Sequence, residues 1–522
     1  KEPRAIVATA EPVPPVDHQT VAAVGEMLRA GAPRKGWAVD LGCGTGVLAC
    51  ELARRTELMI CAVDPDPEKV AVARQRLRQA GLLGTRVSVH HAPLDGRQLP
   101  PYFADLVVSG RSVAGNADAV TKADVVRLQH PFVGRAWLGR PGAMVSLPPP
   151  GLPGSGEWTH QYADAGNTNC SADTLVHGPL GALWFKDFGF TMPSRHGRGP
   201  APLFMRGRLI VEGRDAIRCI DAYNGRVLWE YALPGILKAN DQDHIMGVSG
   251  TGSNICLDRT SVYIRREHDC LCLDLDTGAL RRAIPAPARS PDGKHGTWGY
   301  LACVDGTLFG TLADRTHLVE FRYIRGDMST QFTESTVLFA MDAQTGEEKW
   351  RYVPKHSIRH NALAIGDGRV HLIDRAQAAF DRLDPAYKGR SGRRDVKPFP
   401  HGTLVALNAK TGRELWRNAE SIWGTTLALS TEHKVLVMAY QNASFQLRSE
   451  LGGRLAAFGA ADGKRIWDVE ARYKSRLALS GRTIYAQPGD WDLLTGKRGT
   501  FTFSRAYGCG TVAASRTMLL FR

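Results

Sequence analysis

The sequence predicts two domains of different fold class, an α/β domain with a parallel sheet and then a longer all-β domain of propeller type. The first prediction rests on a strand, Trp37–Leu41, which leads into a glycine-rich turn, Gly42–Gly46, and then into a helical stretch, Val47–Arg55. The second rests on an Asp-x-x-Thr-Gly pattern that occurs six times after residue 200, in some cases with substitutions at the Asp or Thr position. A chain of 522 residues is also too long for one hydrophobic core.

Further strand signals alternate with helical stretches in the first 147 residues. They lie at 59–63, 86–90, 103–108 and 143–147. The strand over 59–63 ends in Asp64, which is placed where a nucleotide-binding fold puts the carboxylate that binds the ribose hydroxyls. The next strand precedes Asp95, and the one after it ends at Ser109. We therefore expect five parallel strands, the fifth of them over 143–147.

Four segments, VDLGCGTG, AVDPDPEKVAVAR, FADLVVS and LGRPGAMVSL, occur in this order and resemble the motifs of class I S-adenosylmethionine-dependent methyltransferases. The resemblance implies a Rossmann-like domain over residues 1–147 with S-adenosylmethionine as cofactor. It implies that the cofactor is bound by Asp40, Gly42, Cys43, Gly44, Gly46, Asp64, Asp95 and Ser109. In that assignment Asp40 and the glycines cradle the methionine part, Asp64 holds the ribose, and Asp95 holds the adenine amino group. A dinucleotide-binding domain is the alternative, and it fits the glycine spacing less well.

Two departures from the family pattern bear on catalysis. Such domains normally end with an antiparallel hairpin, whereas here Pro148–Gly151 follows the fifth predicted strand directly, so we expect a sheet truncated after strand five. The segment Ser109–Ser112 carries no acceptor-binding motif, and we assign no catalytic residue. A linker is expected over 148–157.

The repeats predict a propeller over 158–522. Their turns begin at Asp221, Asp274, Asp342, Asn408, Gly459 and Asp492, and four of them are followed by Trp229, Trp350, Trp416 and Trp467. Glycine at the turn accepts a positive φ, Asp and Thr cap the turn, and each Trp is expected to pack between neighbouring blades. The pattern resembles the PQQ-like repeats of quinoprotein propellers, as does the segment Glu157–Thr168. The repeat count predicts at least six blades, with seven or eight left open.

Two expectations concern the ends of this domain. The last residues, from Tyr507, resemble the opening strands of a further blade, so either they close the ring with the first blade or the natural chain continues. Trp158 and Tyr162 are expected to contact the methyltransferase domain.

The propeller carries little that predicts redox or metal chemistry. Quinone-dependent dehydrogenases of this superfamily use a vicinal cysteine pair, and none of the ten cysteines here is adjacent to another, so PQQ is disfavoured as a cofactor. Loop histidines could converge on the funnel, but solvated loop residues are the favoured interpretation and no metal site is predicted. These histidines are His196, His244, His268, His295, His356 and His360.

Charge and hydrophobicity disfavour two kinds of partner, nucleic acids and a membrane that the chain would span. The formal charge of +14 is scattered along the chain, which disfavours nucleic-acid binding, and no stretch is apolar enough to span a membrane. The combination resembles exported two-domain proteins of planctomycete type, so an exported or periplasmic location is favoured over a cytoplasmic one. Two functions follow: a methyltransferase whose propeller recognises or recruits the acceptor, or an exported binding scaffold with a relic methyltransferase fold. A PQQ-dependent dehydrogenase ranks third.

Overall fold

The computed structural model describes residues 15–116, 120–187, 189, 191–192, 199–237, 254–288, 296–315, 332–377, 401–440, 452–504 and 512–521. The chain divides into two compact units. The first, which we call the α/β unit, comprises 1–153 with the short segments 181–186 and 222–226. The second, the propeller unit, comprises 154–180, 187–221 and 227–522.

The α/β unit contains one six-stranded sheet with helices packed against it. Its strands are β1 Lys35–Leu41, β2 Glu57–Asp64, β3 Val87–His91, β4 Leu106–Val108, β5 Arg135–Leu138 and β6 Val145–Leu147. Its helices are α1 His18–Arg29, α2 Val47–Arg55, α3 Pro67–Gln79, α4 Gly110–Val113 and α5 Lys122–Leu128. The strand order is β3-β2-β1-β4-β5-β6, and β1 to β5 are parallel. Because the central strands are covered on both faces, β1 and β2 are almost wholly buried after their first residues.

Local sequence explains where the helices of the α/β unit begin. The Asp66 carboxylate accepts the N–H groups of Glu68 and Lys69, and Pro67 occupies the first turn of α3, where its missing N–H is not needed. The Asp17 carboxylate caps α1 in the same way through the N–H of Thr20. Gly46 precedes α2 with φ +75°, a conformation that side chains rarely adopt.

The five parallel strands are present as expected, but the position predicted for the fifth is wrong. Strand β5 lies at Arg135–Leu138, and the residues predicted for it form β6, which runs antiparallel to β5. The chain reverses at the turn that begins at Gly139, which has φ +109°. This position requires glycine, because a Cβ there would lie 2.9 Å from the Ala143 carbonyl oxygen. The sheet therefore gains a short antiparallel edge strand after its fifth parallel strand.

Within the residues that the structure describes, the propeller unit is all-β and contains six groups of four antiparallel strands. The first three groups are β7 Leu203–Met205, β8 Arg208–Glu212, β9 Ala216–Asp221 and β10 Val227–Ala232; β11 Ile255–Leu257, β12 Ser261–Arg265, β13 Asp269–Asp274 and β14 Leu280–Pro285; and β15 Trp298–Val304, β16 Thr307–Ala313, β17 Glu334–Asp342 and β18 Glu348–Tyr352. The other three are β19 Ile358–Gly366, β20 Arg369–Asp374, β21 Gly402–Asn408 and β22 Glu414–Ile422; β23 Thr426–Ser430, β24 Val435–Ala439, β25 Arg454–Gly459 and β26 Arg465–Glu470; and β27 Ala478–Ser480, β28 Thr483–Ala486, β29 Gly489–Asp492 and β30 Arg498–Thr502. The third and fourth groups join through two residue pairs between β17 and β19. These six groups confirm the prediction of at least six blades.

The repeated turns join the third and fourth strands of every blade. The six turn glycines, Gly225, Gly278, Gly346, Gly412, Gly463 and Gly496, have φ between +68° and +78°. In most turns the first side chain accepts backbone N–H groups two and three residues on, as Asp342 does from Gln344 and Thr345. These two N–H groups, that of Thr345 first, lower the pKa of the Asp342 carboxyl. The equivalence of the six turns confirms the repeat read from the sequence.

Each of the four tryptophans of the repeat packs against the following blade. The indole N–H of Trp229, Trp350, Trp416 and Trp467 donates to the carbonyl oxygens of Leu275, Ala409, Ala460 and Leu493, at 2.9–3.3 Å. The four rings also fill the space in front of the turn glycines of those following blades. Trp184 does the same at Gly225 and donates to the Ala222 carbonyl, although no repeat pattern in the sequence pointed to it.

One short segment, residues 158–170, hydrogen-bonds to the first strand of every blade; we call it the axial segment. Backbone carbonyls of Thr159, Ala165, Gly166 and Thr168 accept from β11, β19, β23 and β27. Trp158 pairs with β7, and the His160 imidazole meets the Cys303 N–H of β15 at 3.3 Å. Six strands that reach one segment must converge on it, so the axial segment lies where the blades meet. Burial there lowers the pKa of His160 to about 4.

Trp158 and Tyr162, which were expected to contact the methyltransferase domain, are used inside the propeller unit. Trp158 pairs with Phe204, and Tyr162 is buried, with the Arg476 guanidinium 3.4 Å from its ring centroid. At the other end of the unit β31 Ala513–Ala514 pairs with β32 Leu519–Leu520, and Ala514 bridges to Cys170. The strands near the end of the sequence therefore pair with the segment that precedes the first blade.

Candidate functional site

The candidate site lies at the carboxyl ends of β1, β2 and β4. The loop Gly42–Gly46 leaves β1 there and is fastened to β2, since the N–H groups of Gly42 and Cys43 both donate to the Val63 carbonyl at 2.7 and 3.0 Å. The Arg111 N–H donates to the Gly42 carbonyl at 2.8 Å, which ties α4 to the same loop. In α/β folds with a parallel sheet, ligands bind at the carboxyl ends of the strands.

Asp40, at the end of β1, is fully buried and only half satisfied. Its Oδ1 accepts the Gly110 N–H at 2.8 Å, whereas its Oδ2 has no hydrogen-bond partner among the described residues. Burial raises the pKa of Asp40 to about 7, and the nearby charge of Asp64 adds to this, although the Gly110 hydrogen bond opposes it. A buried acceptor without a donor is costly, so this oxygen is a place where a donor or cation would be stabilising.

Asp64, at the end of β2, is also fully buried but has donors on both oxygens. Its Oδ2 accepts the Gly44 N–H at 2.9 Å, and its Oδ1 accepts the Asp66 N–H at 3.0 Å. The Arg111 guanidinium completes the set with Nε to Oδ2 at 3.0 Å and Nη2 to Oδ1 at 2.5 Å. The carboxylate predicted to hold a ribose thus faces the glycine-rich loop and is bound in a two-point ion pair.

Arg111 is the residue of this site that sequence reasoning missed. It lies in α4, and its stem covers Gly42: a Cβ on that glycine would lie 3.1–3.5 Å from the Cδ, Cγ and Cβ of Arg111. Its side chain is 21% exposed, and hydrogen bonding to Asp64 raises the pKa of the guanidinium. The only signal in the sequence was an arginine two residues after the end of the fourth strand, which by itself reads as a surface charge.

The remaining loop residues divide into packed and open positions. A Cβ on Gly46 would meet the Cβ of Ala73 at 2.9 Å, so that glycine lets the loop pack on α3. Gly44, with φ +56°, has no atom within 4 Å of the corresponding position. Cys43 is buried, and burial, followed by the charges of Asp40 and Asp64, raises the pKa of its thiol. Ser109 is buried and caps α4 by accepting the Ser112 N–H at 3.2 Å.

Asp95 lies in the loop after β3 and is not joined to the other predicted residues by any hydrogen bond or ion pair among the described residues. Its carboxylate accepts the N–H of Arg97 at 3.1 Å and pairs with the guanidinium of the same residue at 3.5 Å. The side chain is 41% exposed. Its predicted role at the adenine stays a prediction.

Together these contacts define what the site can bind. Asp64 accepts the N–H of Gly44, which faces open space, and Asp40 at the end of the neighbouring strand has one oxygen without a partner among the described residues. S-Adenosylmethionine carries a sulfonium and an ammonium, and its ribose carries two hydroxyl donors, so its charge and donor set fit this pair of carboxylates. Arg111 holds the carboxylate that the hydroxyls would use.

The histidines considered from the sequence do not form a metal site within the described ranges. No group of three or more His, Cys, Asp or Glu side chains that could hold a metal ion occurs among the residues the structure describes. His268 Nδ1 lies 3.2 Å from the Gly296 carbonyl, and His360 Nε2 lies 2.7 Å from the buried Ser335 hydroxyl. His196, His244 and His295 lie outside the described residues. The nine described cysteines are all buried free thiols.

The propeller unit contains buried charges that the sequence analysis also missed. Glu334 and Arg359 form an ion pair at 2.9 Å with side chains 4% and 5% exposed. Glu212, at the end of β8, accepts the Asn254 amide at 2.5 Å, and burial raises the pKa of its carboxyl to about 8. Glu212 ends β8 after the apolar run 209–211, which was a signal in the sequence, whereas Glu334 and Arg359 lie near the starts of β17 and β19 beside other polar residues, so no simple pattern marked their pair. Both pairs connect successive blades.

Comparison with known proteins identifies both domains. Residues 38–126 match the family described as a methyltransferase domain, and residues 320–488 match the family described as outer membrane protein assembly factor BamB. The chain thus combines a methyltransferase domain with BamB-like PQQ repeats, which confirms both family resemblances seen in the sequence. Within the described ranges no helix has the length and apolar character to cross a membrane.

The individual relatives match parts of the chain. A ribosomal protein L11 methyltransferase from Rhodopseudomonas palustris is 44% identical over 66 residues, which are 13% of this chain and 21% of that protein. An outer membrane protein assembly factor BamB from Burkholderia pseudomallei is 27% identical over 213 residues, 40% of this chain and 47% of that protein. The chain therefore spans less than half of the length of either. The crystal structure of BamB from Moraxella catarrhalis is 17% identical, with a TM-score of 0.32, over 56% of this chain and 72% of that one.

Proposed function

We propose that the α/β unit binds S-adenosylmethionine at the carboxyl edge of its sheet and transfers the methyl group to an acceptor that the propeller recognises or recruits. The residues proposed to bind the cofactor are Asp40, Gly42, Cys43, Gly44, Gly46, Asp64, Asp95 and Ser109. The match of residues 38–126 to a methyltransferase family supports this proposal.

The observation that carries the proposal is the unsatisfied oxygen of Asp40. An orphaned, fully buried carboxylate oxygen destabilises the protein unless a ligand supplies a donor or a positive charge. The loop glycine with open space, Gly44, lies beside Asp64, which is bound to its N–H. A cationic nucleoside would therefore gain contacts that the protein alone leaves unmade.

The protein's own residues would bind and orient, while the cofactor supplies an activated methyl group for in-line displacement. Asp40 would hold the positive charge, and Asp64 the ribose. The acceptor is proposed to approach over Ser109–Ser112, because that segment continues from β4 at the same edge. No side chain in this set is assigned as a general base.

A second candidate function is favoured by one observation, the two-point ion pair of Arg111 with Asp64. If this pair is permanent, the α/β unit is a relic that binds no cofactor. The protein would then act through its BamB-like repeats as a binding scaffold for a protein partner. An exported location suits this second function better, and the similarity to a protein named as an outer membrane assembly factor supports it.

Isothermal titration calorimetry with S-adenosylmethionine and S-adenosylhomocysteine on the full chain separates the two functions. We expect both ligands to bind the wild-type protein. We expect Asp64→Ala to weaken binding by about 3 kcal/mol or more, because two charge-assisted hydrogen bonds of about 1.5–3 kcal/mol each are lost.

Asp66→Ala is the matched control. Asp66 lies two residues further along, and its carboxylate caps α3, so its loss costs about 1 kcal/mol of stability but no ligand contact. If neither ligand gives a heat of binding or raises the melting temperature, in wild type and in variants that replace Arg111, the cofactor-binding function is wrong. The scaffold function then remains.

A further inference from the structure

We propose that Arg111 is a side-chain gate that competes with the ribose for Asp64, so that the cofactor binds only when Arg111 leaves that carboxylate. This inference rests on the proposed function, because it concerns the same site. It adds a residue that sets the affinity and that the methyltransferase motifs do not include.

The first argument is the number of donors on Asp64. A carboxylate offers about four acceptor positions, and four donors fill them: the N–H groups of Gly44 and Asp66 and two N–H groups of Arg111. The two backbone donors are fixed by the loop and by the start of α3. Hydroxyl donors from a ribose can therefore reach the carboxylate only by replacing the guanidinium.

The second argument is that the Arg111 side chain can leave Asp64 without disturbing the loop. Among the described residues its guanidinium hydrogen-bonds to Asp64 alone, and its side chain is partly exposed. The contact that holds α4 on the loop comes from the Arg111 backbone N–H to the Gly42 carbonyl, and it does not depend on the side chain. Rotation of the side chain therefore frees Asp64 and uncovers Gly42 while the loop stays in place.

The third argument concerns the charge on Asp64. With Arg111 rotated away, Asp64 would be a buried carboxylate near the half-satisfied Asp40, and the charge of Asp64 raises the pKa of Asp40. The open state is therefore unfavourable without a ligand. Only open molecules can bind, so the apparent affinity is the intrinsic affinity of the open state reduced by the fraction of molecules that are open. A cationic nucleoside that brings two hydroxyls and a positive charge reverses this balance.

The experiment measures the affinity for S-adenosylhomocysteine and S-adenosylmethionine by calorimetry in wild type, Arg111→Ala and Arg111→Gln. We expect Arg111→Ala to bind S-adenosylhomocysteine at least tenfold more tightly than wild type. Arg111→Gln, which keeps a neutral donor and protects against misfolding from an unpaired Asp64, should lie between the two. In the Asp64→Ala background the effect of Arg111→Ala should vanish, because the two residues act through one contact.

Arg54→Ala is the control for charge alone, since it removes an exposed arginine in the last turn of α2 that contacts none of the proposed binding residues among the described residues. Equal tightening by Arg54→Ala would overturn the gate in favour of general repulsion of a cationic ligand. Unchanged or weaker binding by Arg111→Ala, with wild type still binding, would also overturn it while leaving the proposed function intact. Absence of binding by wild type and by both Arg111 variants would overturn the proposed function itself.

Discussion

Glycines with positive φ occur in both units, but the turns of the repeats and the glycine-rich loop differ in what faces them. In the propeller unit a Cβ on Gly278, Gly412, Gly463 or Gly496 would lie within 3.0 Å of a tryptophan ring from the neighbouring repeat. In the α/β unit Gly44 has nothing within 4 Å. The same residue type therefore serves close packing at these repeat turns and leaves open space at Gly44 of the glycine-rich loop.

This difference helps to decide whether a glycine motif serves packing or ligand binding. A glycine whose missing side chain is replaced by a neighbour's ring is explained by the fold, and no ligand is needed to account for it. Gly44 faces open space and donates its N–H to the buried carboxylate of Asp64, so it leaves room for a ligand at that position. Substitutions at matched positions can therefore separate the structural role from the binding role.

The largest effect is expected from removing a tryptophan between blades. Trp467 is 8% exposed and donates to the Leu493 carbonyl at 2.9 Å. Trp467→Ala should lower the free energy of unfolding by about 3–5 kcal/mol, because the cavity in front of Gly496 cannot be refilled. Urea unfolding followed by circular dichroism measures this loss.

Trp467→Phe is the milder comparison variant. It keeps one aromatic ring but loses the indole N–H and part of the ring system that faces Gly496, so we expect a cost above the about 1 kcal/mol of a lost hydrogen bond and below that of Trp467→Ala. A loss below about 1 kcal/mol for Trp467→Ala would contradict the interpretation of these rings as blade-to-blade packing, since a buried aromatic residue should cost several times more.

A smaller effect is expected from adding a methyl group to a turn glycine. Gly463→Ala should cost about 2–5 kcal/mol, the sum of left-handed strain of about 1–2 and overpacking of about 1–3 kcal/mol against the Trp416 ring. Gly346 has the same turn and φ +78°, but faces Ile284 at 3.3 Å in place of a tryptophan. Gly346→Ala should therefore cost little more than the strain. The same unfolding assay compares the two.

Gly44→Ala extends this series to the α/β unit. Its stability loss should match that of Gly346→Ala, because both have the strain and neither has a severe clash. If Gly44→Ala destabilises as much as Gly463→Ala, the space at Gly44 is not open and the comparison between the two units fails.

Sequence patterns predicted those features of both units that depend on local chemistry. The glycine-rich loop, Asp40 and Asp64 were placed correctly at strand ends because a strand, a turn and a helix follow one another without interruption. The six blade turns were found because Asp, Thr and Gly occupy fixed positions in each. Such signals lie within a few residues of each other, so they are visible in one pass along the chain.

Features that depend on distant contacts were missed or misplaced. Arg111 meets Asp64 across 47 residues, and no motif marks it. Trp184 packs on a turn 38 residues away, outside the repeat pattern. The fifth strand was misplaced because Arg135–Leu138 precedes the Gly139–Gly142 turn, and periodicity alone did not show that this turn reverses the chain. Tertiary pairing decided each of these cases.

The smallest expected effect is a proton release that distinguishes two buried carboxyls, Asp40 in the α/β unit and Glu212 in the propeller unit. Burial raises the pKa of Asp40 to about 7 and that of Glu212 to about 8. In both cases the folded state binds a proton more tightly than the unfolded state. The contribution to stability is therefore present at pH 4 and is lost as the pH rises through the folded pKa.

Only Asp40 should respond to the ligand, because a cation next to its free Oδ2 lowers its pKa and drives the proton off. At pH 7 S-adenosylhomocysteine, which carries an ammonium, should release up to about half a proton, since a group with a pKa near the working pH is half protonated. Calorimetry in phosphate and in Tris measures the number of protons released, because the observed enthalpies differ by that number times the difference in the heats of buffer ionisation.

Adenosine is the control ligand, since it has the same ribose without the ammonium and should release no proton. Asp40→Asn is the control variant and should abolish the release. Equal release with adenosine would place the titrating group elsewhere and remove Asp40 from the cation site.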